Sequence, residues 1–240
     1  MMTIDKEIVV LTGGSGGIGS AISKALIAAN YHVYNLDIDS PSPMKNETYY
    51  PVDLLDFDKL DKVSRSLSEE KNLVGFIHCA GYGGPFRELP DIGEDQWDKV
   101  FGINIKSAYV ILKNFLSPWK EKNFGRFISI ASSQSIVGAK LSVTYSASKH
   151  ALVGMVKSLA DEWGEYGITS NAVSPGYVDT KMGIQDDKVD GHLEKVLSIT
   201  PVKRVARPDE IARVVLFLLS KESGYINGAN WTVDGGLTSI

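Results

Sequence analysis

Short apolar runs rich in β-branched residues alternate along the chain with segments whose apolar residues recur at the helical period. The run 8–12 leads into a glycine-rich stretch, and the segment 18–29 then places its apolar side chains on one helical face. Strand-like and helix-like segments alternate about seven times. Because parallel strands need crossover connections, this pattern predicts an α/β fold, a doubly wound parallel sheet with helices on both faces.

We predict strands at 8–12, 32–36, 48–52, 73–78, 126–130, 169–173 and 230–233, and helices at 18–29, 57–68, 94–122, 145–163 and 209–219. Asp56 is the expected N-cap of the second helix. Pro118 is expected to interrupt or end the long helical pattern of 94–122. The polar, irregular segment 181–199 is predicted to be a substrate lid, with an ordinary surface excursion as the alternative.

Composition and charge narrow the class of protein. The 240 residues are 43% hydrophobic and 22% charged, which predicts a single globular domain over residues 1–240. The net charge of −4 and the lack of a basic block argue against nucleic-acid binding. No apolar run approaches the roughly 18 residues of a membrane span, and no signal-peptide pattern is present. We therefore expect a cytoplasmic protein that does not bind membranes.

Glycines fill the predicted turn between the first strand and the first helix. The spacing fits two registers, Gly14-x-Gly16-x-x-Gly19 and Gly13-x-x-x-Gly17-x-Gly19. A helix N-terminus offers unpaired N–H groups and a positive dipole end, and glycines let a pyrophosphate approach the backbone. The segment therefore predicts a dinucleotide site, and the alternative is a glycine-rich turn without a ligand.

An acid ends the second predicted strand. Asp37 lies 18 residues after Gly19, near the spacing at which a carboxylate hydrogen-bonds the adenosine ribose. No Arg or Lys lies within 13–19 to meet a 2′-phosphate. Both observations favour NAD over NADP, although a solvated turn aspartate would have the same sequence.

A tyrosine and a lysine share one face of the predicted helix 145–163. Tyr145 and Lys149 stand at i and i+4, so the lysine ammonium can stabilise a phenolate and adapt it to acid–base work. Ser132 follows the strand 126–130, at the edge where open parallel sheets bind ligands. A surface Tyr–Lys pair and a strand-ending serine are the structural alternatives.

With these residues in view, the sequence resembles the classical short-chain dehydrogenases/reductases over essentially its whole length. Ser132 precedes Tyr145 by thirteen positions, a spacing usual in that family, which selects it over Ser133 and Ser135. The motifs that carry the resemblance are Thr12-Gly13-x-x-x-Gly17-x-Gly19, Cys79-Ala80-Gly81, Asn104, Ser132, Tyr145-x-x-x-Lys149, Asn171-Ala172-Val173-Ser174-Pro175-Gly176, Thr180 and Asp234-Gly235-Gly236.

The resemblance implies a Rossmann fold with a catalytic tetrad. Tyr145 would exchange the proton with the substrate oxygen, which Ser132 would also hydrogen-bond. Lys149 would bind the nicotinamide ribose and lower the pKa of the tyrosine. Asn104 would bind, through its backbone carbonyl, a water that relays the proton to solvent. The resemblance also implies a homotetramer built through the helices that hold Asn104 and Tyr145.

The same resemblance implies a set of cofactor contacts. Asp53 would contact the adenine amine, and Val178 and Thr180 would hold the nicotinamide carboxamide. Ile18 would contact the cofactor through its backbone. The full expected set is Gly13, Ser15, Gly17, Ile18, Gly19, Asp37, Asp53, Ala80, Gly81, Tyr145, Lys149, Pro175, Gly176, Val178 and Thr180.

One position departs from the family pattern. His78-Cys79-Ala80-Gly81 stands where Asn-Asn-Ala-Gly is frequent, and the second asparagine usually supports the central sheet. We expect Cys79 to pack there as a small apolar residue and His78 to be a core histidine with satisfied hydrogen bonds. No histidine has a partner at metal-ligand spacing, so no metal is expected.

The sequence thus predicts an NAD-dependent oxidoreductase that moves a hydride between nicotinamide and a small-molecule secondary alcohol or ketone. One alternative is a 3-oxoacyl-carrier-protein reductase, which would need basic residues near the cleft to dock an acidic carrier. Lys203, Arg204 and Arg207 are candidates, with ordinary surface residues as the alternative. A second alternative is a non-catalytic NAD-binding scaffold.

Overall fold

A computed structural model describes residues 6–182 and 191–239. Its centre is a seven-stranded sheet in the order β3-β2-β1-β4-β5-β6-β7, with every neighbouring pair parallel. The strands are β1 (Ile8–Thr12), β2 (His32–Asp37), β3 (Glu47–Pro51), β4 (Leu73–His78), β5 (Gly125–Ile130), β6 (Ile168–Pro175) and β7 (Asn230–Val233). The predicted doubly wound α/β fold is confirmed.

The helices of the described segments are α1 (Gly17–Ala28), α2 (Phe57–Ser68), α3 (Glu94–Phe101), α4 (Ser107–Lys122), α5 (Val143–Trp163), α6 (His192–Ile199) and α7 (Pro208–Leu219). One π-helical turn, Gly102–Lys106, joins α3 to α4. Asp56 caps α2 as predicted, since its carboxylate accepts the Lys59 N–H at 3.0 Å. Predicted and observed bounds differ by one or two residues at most of the other ends.

Helices cover both faces of the sheet and create two cores. On one face, Phe76 and Phe127 of the central strands pack with Phe115 and Trp119 of α4. The other face packs against α1 and α7 and has its own cluster of buried aliphatic residues, including Val9, Ile22, Ile77 and Val215. β5 and β6 are buried along their whole length, which explains why polar and apolar residues do not strictly alternate along them.

The prediction for Pro118 is wrong. The proline lies inside α4, which continues to Lys122 and ends at Asn123 in the left-handed conformation. Proline removes one helical hydrogen bond, but the neighbouring Trp119 is fully buried and donates its indole N–H to the Leu73 carbonyl at 3.2 Å. Tertiary packing therefore outweighs the local cost of the proline, and the break in the pattern is the π-helical turn instead.

Two of the sequence predictions concern more of the chain than the structure describes. The predicted lid, 181–199, includes residues 183–190, which lie outside the described residues. The division of the chain into a single domain over 1–240 likewise stays a prediction. Within the described segments, no helix combines the length and apolar character that a membrane crossing requires.

Candidate active site

The strand order reverses beside β1, which places a cleft at one edge of the sheet. β1 lies between β2 and β4. From β2 the chain continues outward to β3 on one side of β1, and from β4 it continues outward to β5 on the other side. Open α/β sheets bind ligands at such a switch point, beyond the carboxyl ends of the strands. Every predicted site residue follows one of these strand ends or lies on the π-helical turn and α5 beside them.

The glycine loop after β1 packs closely against two other segments of this edge. Gly13 has a φ of +73°, and a Cβ there would lie 2.7 Å from the Ala80 backbone. A Cβ on Gly17 would lie 2.5 Å from the Thr180 Cγ2 atom. Gly19 faces the Gly13 carbonyl so closely that a side chain has no room. The glycines therefore let the loop meet Ala80 and Thr180, both predicted cofactor contacts.

The amides of this loop divide into two groups. The N–H groups of Gly13, Gly14, Ser15 and Gly16 donate to the Leu36 carbonyl, Asn35 Oδ1, Asp37 Oδ2 and the Gly13 carbonyl. The following residues, 17–19, begin α1, whose first N–H groups have no helical acceptor. Gly16 is the N-cap and has no side chain to cap them, and the first turn has no acid. This helix end can therefore hold a diphosphate.

Two carboxylates mark the side of the cleft away from α5. Asp37 Oδ2 accepts the Ser15 N–H at 2.9 Å, and Asp37 Oδ1 accepts the Asp39 N–H at 3.1 Å. Asp53 follows the adjacent strand β3, and its Oδ1 accepts the Leu55 N–H at 2.9 Å. The structure thus places Asp37 and Asp53 on neighbouring strand ends, where the sequence predicted the adenosine contacts.

Tyr145 and Lys149 lie on one face of α5, as the spacing predicted. The Lys149 Nζ atom lies 5.4 Å from the centroid of the Tyr145 ring and donates to the Ile130 carbonyl at 2.8 Å. Lys149 is buried, and this burial lowers the pKa of its ammonium to about 8. Its Nζ also lies 3.4 Å from the position of a Cβ on Gly81. With this pKa the Lys149 amine is still mostly protonated at pH 7, so it can act as a cation beside Tyr145.

A short turn after β5 brings Ser132 to the start of α5. Ser132 Oγ accepts the Gln134 N–H at 3.1 Å. Gln134 Oε1 in turn accepts hydrogen bonds from Ser142 Oγ and Ser146 Oγ, each at 2.8 Å. Because residues 142 and 146 flank Tyr145 along the chain, these bonds fix the serine turn against the segment that holds the tyrosine.

Asn104 lies in the π-helical turn and is fully buried. Its Oδ1 atom accepts the Tyr82 N–H at 2.8 Å, and its Nδ2 atom donates to the Tyr82 carbonyl and to Ser148 Oγ. The side chain therefore joins the loop after β4 to α5. The group predicted to bind the relay water is the backbone carbonyl of Asn104, not this side chain.

His78 is a core histidine with satisfied hydrogen bonds, as predicted. Its Nδ1 atom lies 2.9 Å from Thr12 Oγ1, and its Nε2 atom lies 3.2 Å from the Asn104 carbonyl oxygen. Burial, followed by the nearby charge of Lys149, lowers the pKa of the imidazole to about 3. Cys79 packs at the edge of the second core, and burial raises the pKa of its thiol to about 12. Sequence reasoning missed the contact between His78 and Asn104.

The segment after β6 closes the other end of the cleft. Pro175 ends β6, and the Gly176 N–H donates to the Val233 carbonyl at 3.1 Å. Val178 pairs with Ala206 in an isolated bridge, which directs the chain back toward the glycine loop. Thr180 then packs on that loop, so the predicted nicotinamide contacts and the predicted diphosphate contacts lie side by side.

Other kinds of site find no support among the residues that the structure describes. No group of three or more His, Cys, Asp or Glu side chains there could hold a metal ion. Arg204 pairs with Glu210 at 2.8 Å, and Arg207 pairs with Asp209 at 3.0 Å. Both arginines therefore form surface ion pairs with acids of the same segment.

Comparison with known proteins agrees with this geometry. A family model described as enoyl-(acyl carrier protein) reductase matches residues 13–238. The acetoacetyl-CoA reductase of Shinella zoogloeoides is 33% identical, covering 96% of this chain and 98% of its own length. The 3-oxoacyl-(acyl-carrier-protein) reductase of Buchnera aphidicola is 31% identical, with 100% of each chain covered.

Solved structures share the fold and hold nicotinamide cofactors. A 4-hydroxyisoleucine dehydrogenase complexed with NADH superposes with a TM-score of 0.91 at 25% identity, covering 98% of this chain and 100% of the other. A Beutenbergia cavernae protein described as an NAD(P)-dependent gluconate 5-dehydrogenase, with NADP bound, superposes with a TM-score of 0.90 at 26% identity, covering 99% and 98%.

The fold, the glycine loop and the Tyr–Lys pair together define an oxidoreductase that uses a nicotinamide dinucleotide. The chain belongs to the short-chain dehydrogenase/reductase family, since the family model and the relatives span nearly all of it. The buried lysine, the uncapped helix N-terminus and the glycine contacts are all arranged to fit that cofactor.

Proposed function

We propose that this protein transfers a hydride between NAD(H) and the carbinol or carbonyl carbon of a free small-molecule alcohol or ketone. The observation that carries the proposal is the placement of four residues at one sheet edge beside an uncapped helix N-terminus. These residues are Asn104, Ser132, Tyr145 and Lys149. Asp37 at the adenosine end supports the choice of NAD.

Each residue of the tetrad has a separate task. When bound, NAD(H) supplies or accepts the hydride. The Tyr145 hydroxyl donates a proton to the substrate oxygen in reduction and takes it back in oxidation. The Ser132 hydroxyl hydrogen-bonds the same oxygen and orients it. Lys149 binds the nicotinamide ribose, and its ammonium stabilises the phenolate of Tyr145. The Asn104 carbonyl accepts a hydrogen bond from the water through which the proton exchanges with solvent.

The cofactor contacts are proposed in the same way. The first-turn amides of α1, with Gly13, Ser15, Gly17, Ile18 and Gly19 around them, hold the diphosphate. Asp37 binds the adenosine ribose, and Asp53 binds the adenine amine. Lys149 and Tyr145 meet the nicotinamide half, together with Ala80, Gly81, Pro175, Gly176, Val178 and Thr180.

The loops that surround the tetrad favour a substrate with an apolar body. Their exposed apolar side chains are Tyr82 and Phe86 after β4, Ile136 and Val137 after β5, and Met182 after β6. The Arg87 N–H donates to the Leu141 carbonyl at 3.0 Å, so the loops after β4 and β5 meet. Because a relative reduces acetoacetyl-CoA, small 3-oxoacyl thioesters are the first ketones to test.

A 3-oxoacyl-carrier-protein reductase is the second candidate, and the full-length match to such an enzyme favours it. Docking an acidic carrier protein needs available cations beside the cleft. Arg204 and Arg207 are paired with acids instead, and Lys203 Nζ donates to the Ser198 carbonyl at 2.5 Å. The free substrate is therefore our first choice.

Steady-state kinetics on purified protein separates the candidates. The substrates are acetoacetyl-CoA, acetoacetyl-carrier protein, crotonyl-CoA and a panel of cyclic and sugar-like secondary alcohols. We expect kcat/KM for the best free substrate to exceed that for the carrier-bound one by at least about tenfold, which corresponds to roughly 1.4 kcal/mol.

Three results would contradict this proposal. A strong preference for the carrier-bound form that is lost at high salt would establish the second candidate. Faster reduction of crotonyl-CoA would assign the protein to carbon–carbon double bonds. Tight NADH binding without turnover of any substrate would leave a non-catalytic NAD-binding scaffold.

We also propose a homotetramer in the cytoplasm, as the family resemblance implies. α4 exposes Tyr109, an aromatic side chain that an assembly through the helices near the site would cover. Sedimentation velocity on the purified protein tests the assembly, and a monomer at micromolar concentration would contradict it.

A further inference from the structure

His78 connects three segments of the active-site edge although it has no contact with solvent. It is the last residue of β4 and is fully buried. Its Nδ1 atom lies 2.9 Å from Thr12 Oγ1, at the start of the glycine loop. Its Nε2 atom lies 3.2 Å from the carbonyl oxygen of Asn104.

The hydrogen-bond partners fix the tautomer of the imidazole. The Asn104 carbonyl can only accept, so the proton resides on Nε2 and Nδ1 is left to accept from the Thr12 hydroxyl. Thr12 Oγ1 in turn accepts the Ala80 N–H at 3.4 Å. The result is a directional chain that runs from the Ala80 amide through Thr12 and His78 to the Asn104 carbonyl.

The imidazole in this chain is a neutral connector. Burial keeps its pKa near 3, with a contribution from the Lys149 charge, so the ring stays uncharged at any working pH. It therefore does not carry the catalytic proton itself. Its contribution is to hold another group in place.

The π-helical turn alters the backbone pairing at the residue beside Asn104, since the bypassed Ile103 carbonyl accepts the Ser107 hydroxyl instead. The Ser107 N–H donates to the Gly102 carbonyl, a separation of five residues that widens the helix at this point. Such turns shift the regular backbone pairing and are frequent at functional sites. The Asn104 side chain is held by Tyr82 and Ser148, whereas His78 is the side chain that contacts its carbonyl.

We propose that His78 is a positioning residue that holds the Asn104 backbone carbonyl, and with it the acceptor for the proton-relay water, at the end of β4. The inference rests on the proposed hydride-transfer function and on the role of Asn104 in it. A carbonyl oxygen has two lone pairs, so one can accept from His78 while the other accepts from water. A buried, fully satisfied network of this kind keeps a group in one position.

A matched pair of substitutions distinguishes the hydrogen bond at Nε2 from the hydrogen bond at Nδ1. The amide introduced by His78→Gln extends far enough to replace the Nε2 donor, whereas the amide introduced by His78→Asn replaces only the shorter Nδ1 side, toward Thr12. We expect His78→Asn to lower kcat by at least about tenfold, since small misplacements of catalytic groups can cost up to about a hundredfold. We expect His78→Gln to keep kcat within about threefold of the wild-type value.

The nature of the loss separates positioning from loss of structure. His78→Asn should enlarge the solvent isotope effect on kcat, because proton exchange becomes slower. The kinetic isotope effect on kcat measured with 4-deuterated NADH should stay the same or fall, because hydride transfer itself is not slowed. The dissociation constant for NADH should change by less than about threefold. Leu73→Val is the control, since Leu73 lies on the same strand and is equally buried but stands at the opposite end of β4 from His78. It should lower the melting temperature without altering either isotope effect.

Several results would overturn the proposal. Equal kcat for the Asn and Gln variants would do so, as would equal losses of kcat and NADH affinity in both. The tautomer supplies a readout that needs no substrate: ¹⁵N NMR of the His78 ring in the free protein should show the proton on Nε2. A proton on Nδ1 would overturn the proposal even if no substrate were turned over, and an Nε2 proton would uphold the geometry if the proposed function failed.

Discussion

The Asp37 carboxylate accepts the backbone N–H of Ser15 at 2.9 Å, which joins the end of β2 to the glycine loop. The negative charge is thereby held beside the glycine turn. In the proposed binding mode, any anionic group added to the adenosine ribose would approach this carboxylate. No Arg or Lys within 13–19 would offset the repulsion.

Cofactor preference follows from that arrangement. We predict that NAD is preferred over NADP by at least about tenfold in kcat/KM, since about 1.4 kcal/mol of repulsion suffices. Asp37→Asn keeps a side chain of the same shape but removes its charge. It should therefore lower the ratio of kcat/KM with NAD to kcat/KM with NADP. Steady-state kinetics with both cofactors on one accepted substrate measures it. Equal use of the two cofactors by the wild-type enzyme, or a preference for NADP, would contradict the prediction.

Removing the Tyr145 hydroxyl should abolish most turnover and leave NADH binding nearly intact. The phenol acts on the substrate oxygen, so its loss removes transition-state stabilisation worth about 10²–10⁴-fold in rate. Single-turnover kinetics and NADH fluorescence titration of Tyr145→Phe check the two parts separately. Tyr225→Phe is the control, because that tyrosine is fully exposed. Retention of more than about a tenth of the wild-type kcat would show that Tyr145 is not the acid–base residue.

Lys149 should make the stability of the cofactor-free protein depend on pH. Its pKa is about 8 in the folded state, against 10.5 for an unperturbed lysine. Below pH 8 the lysine is charged in both the folded and the unfolded chain, and the burial penalty is fully present. Between about pH 8 and 10.5 the unfolded chain binds more protons, so the free energy of unfolding rises with pH.

Denaturant titrations of wild type and Lys149→Met measure this effect as a difference. The free energy of unfolding of the wild type should gain roughly 3 kcal/mol on that of the variant between pH 7 and 10.5, since one pKa unit corresponds to about 1.4 kcal/mol. Titrating groups that do not interact with Lys149 cancel in the comparison. A difference that does not change over this range would mean that Lys149 keeps an ordinary pKa.

A methyl group at position 19 should destroy the cofactor site. A Cβ on Gly19 would run into the Gly13 carbonyl and lie 2.8 Å from Gly14 Cα, so the loop would have to move. We expect Gly19→Ala to weaken NADH binding by at least about a hundredfold, or about 2.7 kcal/mol. Gly16→Ala is the matched comparison, since its nearest atom would be 3.4 Å away and its loss should be at least about tenfold smaller. Calorimetric titration that gives similar affinities for both variants would contradict this account.

Periodicity and motif spacing were enough to predict the sheet, the two helical layers and the places of most candidate site residues in the fold. Apolar runs and helical periods are local properties, and a parallel α/β fold allows few topologies for them. The i, i+4 spacing of Tyr145 and Lys149 likewise follows from helix geometry alone. The placement of Ser132 and Asp37 at strand ends needed only the rule that parallel strands end at one edge.

Only the tertiary structure decided what each of these groups touches. Pro118 stays inside α4 because Trp119 is anchored in the core, which no local rule could foresee. The contacts of His78 with Thr12 and Asn104 join residues 66 and 26 positions apart in sequence. Gly17 and Thr180 come close only because the segment that follows β6 packs on the glycine loop. Sequence determines such contacts through the packing of the whole chain, because hydrogen bonds and close approaches between distant residues have no local signature.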